Sequence, residues 1–245
     1  MVAPSKSQAN KAGKRLRNFD SRRPSDEVTN DEWSRIVDAF DIVTAWRAAH
    51  QYPLGKANMG LRSKVATAQC PSAKVTQRLK RTATIVDKLT REPNMSLSTM
   101  QDIGGCRVVF ESIDQLRRVE KRIASSDVFV RSTDYITNPR GSGYRGVHAI
   151  VTYKDRDSTA RFIEVQLRTK VMHDWAIAVE NFSGRIGEDL KSGRGPKPVL
   201  DWLELVSEAM AIEESNAVVP EDFLSKIQAA RDFAIPYLQG GRKND

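Results

Sequence analysis

From Ile163 to Arg168 the chain alternates strictly between large apolar and polar side chains: Ile163, Val165 and Leu167 against Glu164, Gln166 and Arg168. A period of two fits a strand and no helix, because successive side chains of a strand leave on opposite faces. The fold must therefore contain a sheet whose apolar face is covered and whose other face carries Glu164, Gln166 and Arg168 in a row. That polar face is either simply wet or the floor of a site. A carboxylate and a guanidinium on one rigid strand can hold a cation and a phosphate together.

The neighbouring patterns extend this sheet. Cys106 to Phe110 predicts a buried strand, and Ser112 with Gln115 predicts a capping box that opens a helix carrying Leu116, Val119 and Ile123. Val128 to Val130, Val147 to Lys154 and Ala160 to Thr169 predict further strands, the last two joined by the polar turn at 155–158. Residues 138–146 hold Pro139, Gly141, Gly143 and Gly146 and read as a loop. Upstream, a helix is expected from Asn30, with Trp33, Ile36, Val37, Phe40, Val43 and Trp46 as its stripe. Pro53, Gly55 and Gly60 make His50 to Leu61 read as a loop, and Lys74 to Arg91 as a second helix. Helices are expected at about 170–182, 198–214 and 220–238, with the glycine-rich residues 193–197 before the last two. The expected class is α+β: a mixed β-sheet with flanking helices.

Of 245 residues, 40% are apolar, enough for an ordinary core. No run of 18 apolar residues predicts a membrane span, and the opening residues lack the apolar segment of a secretory signal. Cys70 and Cys106 form no metal-ligand spacing. A reducing, cytoplasmic setting is the expectation. The net charge is +8, and most of it lies in residues 1–24, where Lys6, Lys11, Lys14, Arg15, Arg17, Arg22 and Arg23 face only Asp20. Residues 1–25 read as a disordered basic arm: either a solvated leader or a contact to nucleic acid.

Three further segments carry chemistry. Asp102 precedes Gly104-Gly105 and an apolar strand; it could cap a turn, or join Glu164 as a second carboxylate for Mg²⁺, which needs one or two. Lys80, Thr84, Lys88 and Arg91 recur every three or four residues, so on a helix they would form one row: either a solvated face or a row of cations suited to a triphosphate. Tyr144, in the loop Arg140-Gly141-Ser142-Gly143-Tyr144-Arg145-Gly146, is poorly suited to a core and well placed to stack on a base.

In this order, from about Arg78 to Phe182, these segments resemble the synthetase domain of the RelA/SpoT family of alarmone synthetases. Gly-Tyr-x-x-x-His (Gly143, Tyr144, His148) and Glu-x-Gln-x-Arg-Thr (Glu164, Gln166, Arg168, Thr169) carry the resemblance. It implies a nucleotidyltransferase-like mixed sheet, and transfer of the β,γ-diphosphate of ATP to a ribose 3′-hydroxyl with release of AMP. It also implies Asp102 and Glu164 as catalytic residues and Mg²⁺ ligands, Glu164 doubling as base for the 3′-hydroxyl. On the ATP side it implies Arg78, Lys80, Lys88 and Arg107. On the acceptor side it implies Tyr144, His148, Arg140, Gln166 and Arg168.

Arg140 and Ser142 stand where the family usually has lysine and asparagine, and Thr84 replaces a serine, so the acceptor side departs further than the donor side. With only His50, His148 and His173, a hydrolase centre of the long family members is not expected. The resemblance divides the chain into the arm 1–25, a synthetase domain over 26–192 and a helical extension over 193–245. It leaves two acceptors open: the tRNA 3′ end, as in toxin-like relatives and favoured by the basic arm and the changed acceptor loop, or GDP and GTP. A toxin-like member would bring an antitoxin protein as partner, and self-association is left open. An inactive nucleotide-binding regulator is a third reading, against which Asp102, Glu164 and Tyr144 argue.

Overall fold

In a computed structural model, residues 3–20 and 28–239 are described. At its centre is one five-stranded sheet in the order β1-β2-β5-β4-β3, formed by β1 (Lys74–Leu79), β2 (Gly104–Phe110), β3 (Phe129–Asp134), β4 (Val147–Lys154) and β5 (Ala160–Thr169). β2 and β5 run parallel and the other neighbours antiparallel, so the sheet is mixed as expected.

Eight helices among the described residues flank it: α1 (Lys6–Asp20), α2 (Asn30–Ala48), α3 (Gln51–Thr67), α4 (Thr82–Arg91), α5 (Ile113–Ala124), α6 (Lys170–Ile186), α7 (Lys197–Glu214) and α8 (Glu221–Gln239). The apolar face of the sheet, including Val108, Val147, Val165 and Leu167, packs on α3 and α5. A second core joins α1, α2 and α4, and a third joins α6, α7 and α8. No helix of the described residues is long and apolar enough to cross a membrane. Both cysteines are free and buried.

Three sequence expectations are corrected. Residues 6–20 form helix α1, not a disordered arm; residues 1–2 and 21–25 lie outside the described residues. Its buried stripe is Ala9, Ala12 and Gly13, small residues whose value is close approach, together with the bulkier Leu16. A Cβ on Gly13 would stand 3.1 Å from Leu89 and 3.2 Å from Leu97, and Arg17 donates to the carbonyls of Pro93 and Met95. Leu16 is 1% exposed. Leu16→Ala should therefore cost about 2 kcal/mol in urea unfolding, whereas a solvated arm would show no change.

Residues 51–67 form a helix in place of the expected loop. Pro53 falls in its first turn, where a missing N–H costs nothing, and Leu54, Ala57, Leu61 and Val65 bury one face. The stretch 74–91 is not one helix but β1 followed by α4, because Lys74 to Leu79 pair with β2 from Val109 back to Gly104. The break comes at Lys80, whose N–H bonds the Ile103 carbonyl.

Other boundaries follow local chemistry. Thr29 caps α2 in a reciprocal box with Glu32. Ser112 accepts from the Gln115 N–H, but the Gln115 amide turns to the Glu111 N–H, so the expected box closes on one side only.

His50, 2% exposed, hydrogen-bonds the Trp46 carbonyl through Nδ1. Burial lowers its pKa to about 4, aided by Arg161. The folded state thus binds fewer protons than the unfolded state between about pH 6.5 and 4, and stability falls as pH drops through that window. From pH 7 to 5 His50 should remove about 2 kcal/mol. His50→Gln should flatten that part of the urea-stability profile.

Candidate active site

The strand register places the polar side chains in two ranks across one face. Arg78, Gly105 and Glu164 are cross-strand neighbours, as are Thr76, Arg107, Gln166 and His148. Gly105 leaves the floor open between Arg78 and Glu164. Above this floor is a cleft of about 560 Å³. Lys88 and Arg91 of α4 form one wall; Glu180 and Ser183 of α6 with Asp189, Lys191 and Ser192 form the other.

Asp102 sits just ahead of β2. Its Oδ2 accepts from Lys80 Nζ at 2.7 Å and from Lys88 Nζ at 3.0 Å, while its Oδ1 is buried without a partner among the described residues. Burial works against the charged form, but the two ammonium groups outweigh it and hold the carboxyl below its usual range. Lys80 and Lys88 therefore converge on Asp102, although only Lys88 is helical.

Glu164 Oε1 meets His148 Nδ1 at 3.0 Å, and Oε2 accepts from Gln166 Nε2 at 2.7 Å. Burial again opposes the charge. The hydrogen bond and field from His148, the Gln166 amide and Lys88 more than offset it and bring the pKa to about 2. Both carboxylates line the same cleft. Among the described residues no group of three or more His, Cys, Asp and Glu side chains could hold a metal. Two ionised carboxylates with one orphaned buried oxygen instead suit a hard cation that draws its remaining ligands from water and phosphate.

The cations outnumber their partners. Among the described residues neither Arg78 nor Arg107 has an ion-pair partner, and Arg107 Nε is buried without an acceptor. Burial, then Arg168 and Arg78, lower the Arg107 pKa. Such a cluster is stabilised by a bound polyanion.

Of the sequence-predicted residues, Arg78, Lys80, Lys88, Arg107, Asp102, Arg140, His148, Glu164 and Gln166 line the cleft. Tyr144 and Arg168 do not: both are 0% exposed. The expectation that Tyr144 stands ready to stack on a base is not met in this conformation. Its ring packs in the third core with Trp175, Val179 and Leu203, beneath α7. The loop is clasped there: Ser207 Oγ donates to the Gly143 carbonyl at 2.5 Å, Ser142 Oγ to the Lys191 carbonyl at 3.0 Å, and Arg145 pairs with Glu214 at 3.3 Å.

Glu180, Asp189 and Lys191 went unnoticed in the sequence. Lys191 pairs with Glu180 at 3.0 Å and lies 5.1 Å from the Tyr144 ring centre; burial, then Arg168, lower its pKa to about 8. No spacing marks these polar residues, and only the fold brings them to the cleft.

Residues 77–181, which include most of the cleft, match the region found in RelA/SpoT proteins. Among curated relatives, the GTP pyrophosphokinase YjbM of Bacillus subtilis is 33% identical over 128 residues, 48% of this chain and 61% of that protein. The probable chloroplastic GTP diphosphokinase RSH3 of Oryza sativa subsp. japonica is 28% identical over 160 residues, 64% of this chain and 21% of that protein. The chain thus spans less than two thirds of either relative.

Among solved structures, small alarmone synthetase 1 from Bacillus subtilis bound to its product pppGpp superposes with a TM-score of 0.59 at 23% identity, covering 82% of this chain and 98% of that one. A GTP pyrophosphokinase family protein from Streptococcus pneumoniae gives 0.55 at 20%, covering 86% and 98%. The fold is that of the small alarmone synthetases.

Proposed function

We propose that the cleft transfers the β,γ-diphosphate of ATP to the ribose 3′-hydroxyl of a guanine nucleotide, GDP or GTP, and releases AMP. The observation that carries this reading is the pairing, in one cleft, of an ionised Glu164 with Arg78 and Arg107, guanidinium groups that among the described residues have no carboxylate at salt-bridge distance. The matched RelA/SpoT region and the names of the curated relatives support the guanine acceptor.

The chain's residues divide the work. Arg78, Arg107, Lys80 and Lys88 neutralise the triphosphate, which is most of what such a transfer requires. The acceptor 3′-oxygen attacks the β-phosphorus, the bond to the bridging oxygen of the α-phosphate breaks, and Glu164 takes the hydroxyl proton. A carboxylate with a pKa of about 2 is a weak base, so it receives that proton late, as the new bond forms. Asp102 and Glu164 are the residues that would hold Mg²⁺, which supplies charge neutralisation on the phosphates.

The tRNA end is the weaker alternative. Its support was a free basic arm together with the changed acceptor loop at Arg140 and Ser142, and the arm is a packed helix over residues 6–20. Incubation with γ-labelled ATP and GDP, GTP or bulk tRNA tests both acceptors. Label on the guanine nucleotide with stoichiometric AMP is expected; label on tRNA alone would overturn the proposal.

Lys88→Ala should raise the KM for ATP about tenfold, whichever guanine nucleotide accepts. An effect confined to one acceptor would place Lys88 on the wrong side of the reaction.

A further inference from the structure

Arg168 is a buried cation that among the described residues has no carboxylate at contact distance, and its charge is answered in an unusual way. Its Nε donates to the Tyr144 hydroxyl at 3.2 Å, and Tyr144 Oη lies 2.5 Å from His148 Nε2. His148 Nδ1 reaches Glu164 Oε1 at 3.0 Å. On the other side Arg168 Nη2 donates to Gln166 Oε1 at 3.0 Å, and Gln166 Nε2 donates to Glu164 Oε2 at 2.7 Å. Five side chains thus close a ring: one arm through Tyr144 and His148, the other through Gln166, both ending on the same carboxylate.

The chemistry of the groups limits the proton positions. Arginine only donates and an ionised carboxylate only accepts. Gln166 must therefore turn its oxygen to Arg168 and its amide nitrogen to Glu164. His148 must carry a proton on Nδ1 to bond Glu164. The Tyr144 oxygen accepts from Arg168, and it either donates to a neutral His148 Nε2 or accepts from a protonated one. In both cases each oxygen of Glu164 receives one donor whose position is set from Arg168. Such chains strengthen their members when the surroundings are dry, and Tyr144 and Arg168 are both 0% exposed.

We propose that Arg168 and Tyr144 are positioning residues: from beneath the cleft they fix the orientation of the Glu164 carboxylate and the tautomer of His148. This rests on the proposed role of Glu164. It differs from the roles the family resemblance implies, in which Tyr144 offers its ring to the acceptor base. A phenylalanine keeps the ring and removes only the hydroxyl, so Tyr144→Phe separates the two roles.

In the full-length protein, Tyr144→Phe and, separately, Arg168→Lys should lower kcat about tenfold, with the KM for ATP and for GTP within twofold of wild type. The chain has three histidines, so ring-¹⁵N-histidine labelling at one fixed pH resolves His148. Its Nδ1 should be protonated in the wild type, and its Nε2 resonance should move in Tyr144→Phe. An unchanged His148 spectrum would overturn the ring, as would a raised KM for GTP at unchanged kcat. If Arg168→Lys fails to fold, Tyr144→Phe decides, since it keeps the packing on Trp175. If the wild-type protein transfers no diphosphate, the functional reading fails, and the spectra alone still support or refute the ring.

Discussion

Glu164→Gln should reduce diphosphate transfer by on the order of 10³-fold and shift the melting temperature by only a few degrees. The side chains have the same shape, so the loss comes from charge and proton affinity. The amide cannot take the 3′-hydroxyl proton or contribute a negative charge to a cation between the phosphates. The structural cost is limited. His148 Nδ1 and Gln166 Nε2 both donate to the carboxylate, and an amide offers only one oxygen, so one hydrogen bond worth about 1 kcal/mol is lost. Single-turnover release of AMP and a thermal melt separate the two effects. Transfer within threefold of wild type would remove Glu164 from the chemistry.

The second large effect concerns the loop that α7 covers. Gly143 has φ +83°, and a Cβ there would lie 2.9 Å from the Leu203 carbonyl oxygen, Glu204 Cα and Ser207 Cβ. Two of these are backbone atoms of α7 and cannot step aside cheaply. Gly143→Ala should therefore cost about 4 kcal/mol, combining an unfavourable backbone conformation with overpacking. The strain is relieved if α7 lifts from the loop. Limited proteolysis within 197–214 should accelerate in the variant, and Tyr144 fluorescence quenching should report its exposure. A variant as stable and as protease-resistant as the wild type would mean that α7 does not hold this loop.

How legible these features were depended on what carried the pattern. The ends of β4 and β5 match the expectation: in β5 the strict alternation from Ile163 to Arg168 has only one reading, and in β4 a β-branched apolar run is bounded by the glycine-rich loop and the polar turn at 155–158. Helices α1 and α3 were missed for the opposite reason. In α1 the inward face consists of Ala9, Ala12, Gly13 and Leu16, and in α3 Pro53 stands in the first turn, so composition pointed to loops. The stretch 74–91 has apolar residues at Val75, Leu79, Ile85, Val86 and Leu89 that suit a helix locally, and pairing with β2 overrides that preference.

In the cleft, the row on β5 and the position of Asp102 could be read because motif and periodicity agree. The burial of Tyr144 could not: a glycine-flanked tyrosine reads as exposed until α7 is seen to lie over it.

The contact between α1 and α4 alters what a shortened chain would report. Ile85 and Leu89 of α4 share a core with Leu16, while Lys88 of the same helix reaches Asp102. The amino-terminal helix is thus a back-plate for the element that carries a donor-side lysine. Trimming it would bare Ile85, Leu89 and Leu97 to water and loosen the wall in front of them. A protein lacking residues 1–24 would lose turnover with every acceptor alike, and so cannot serve as a probe for nucleic-acid contacts made by that segment. Charge-reversing substitutions at the exposed Lys11 and Lys14, which leave Ala12, Gly13 and Leu16 in place, are the cleaner instrument.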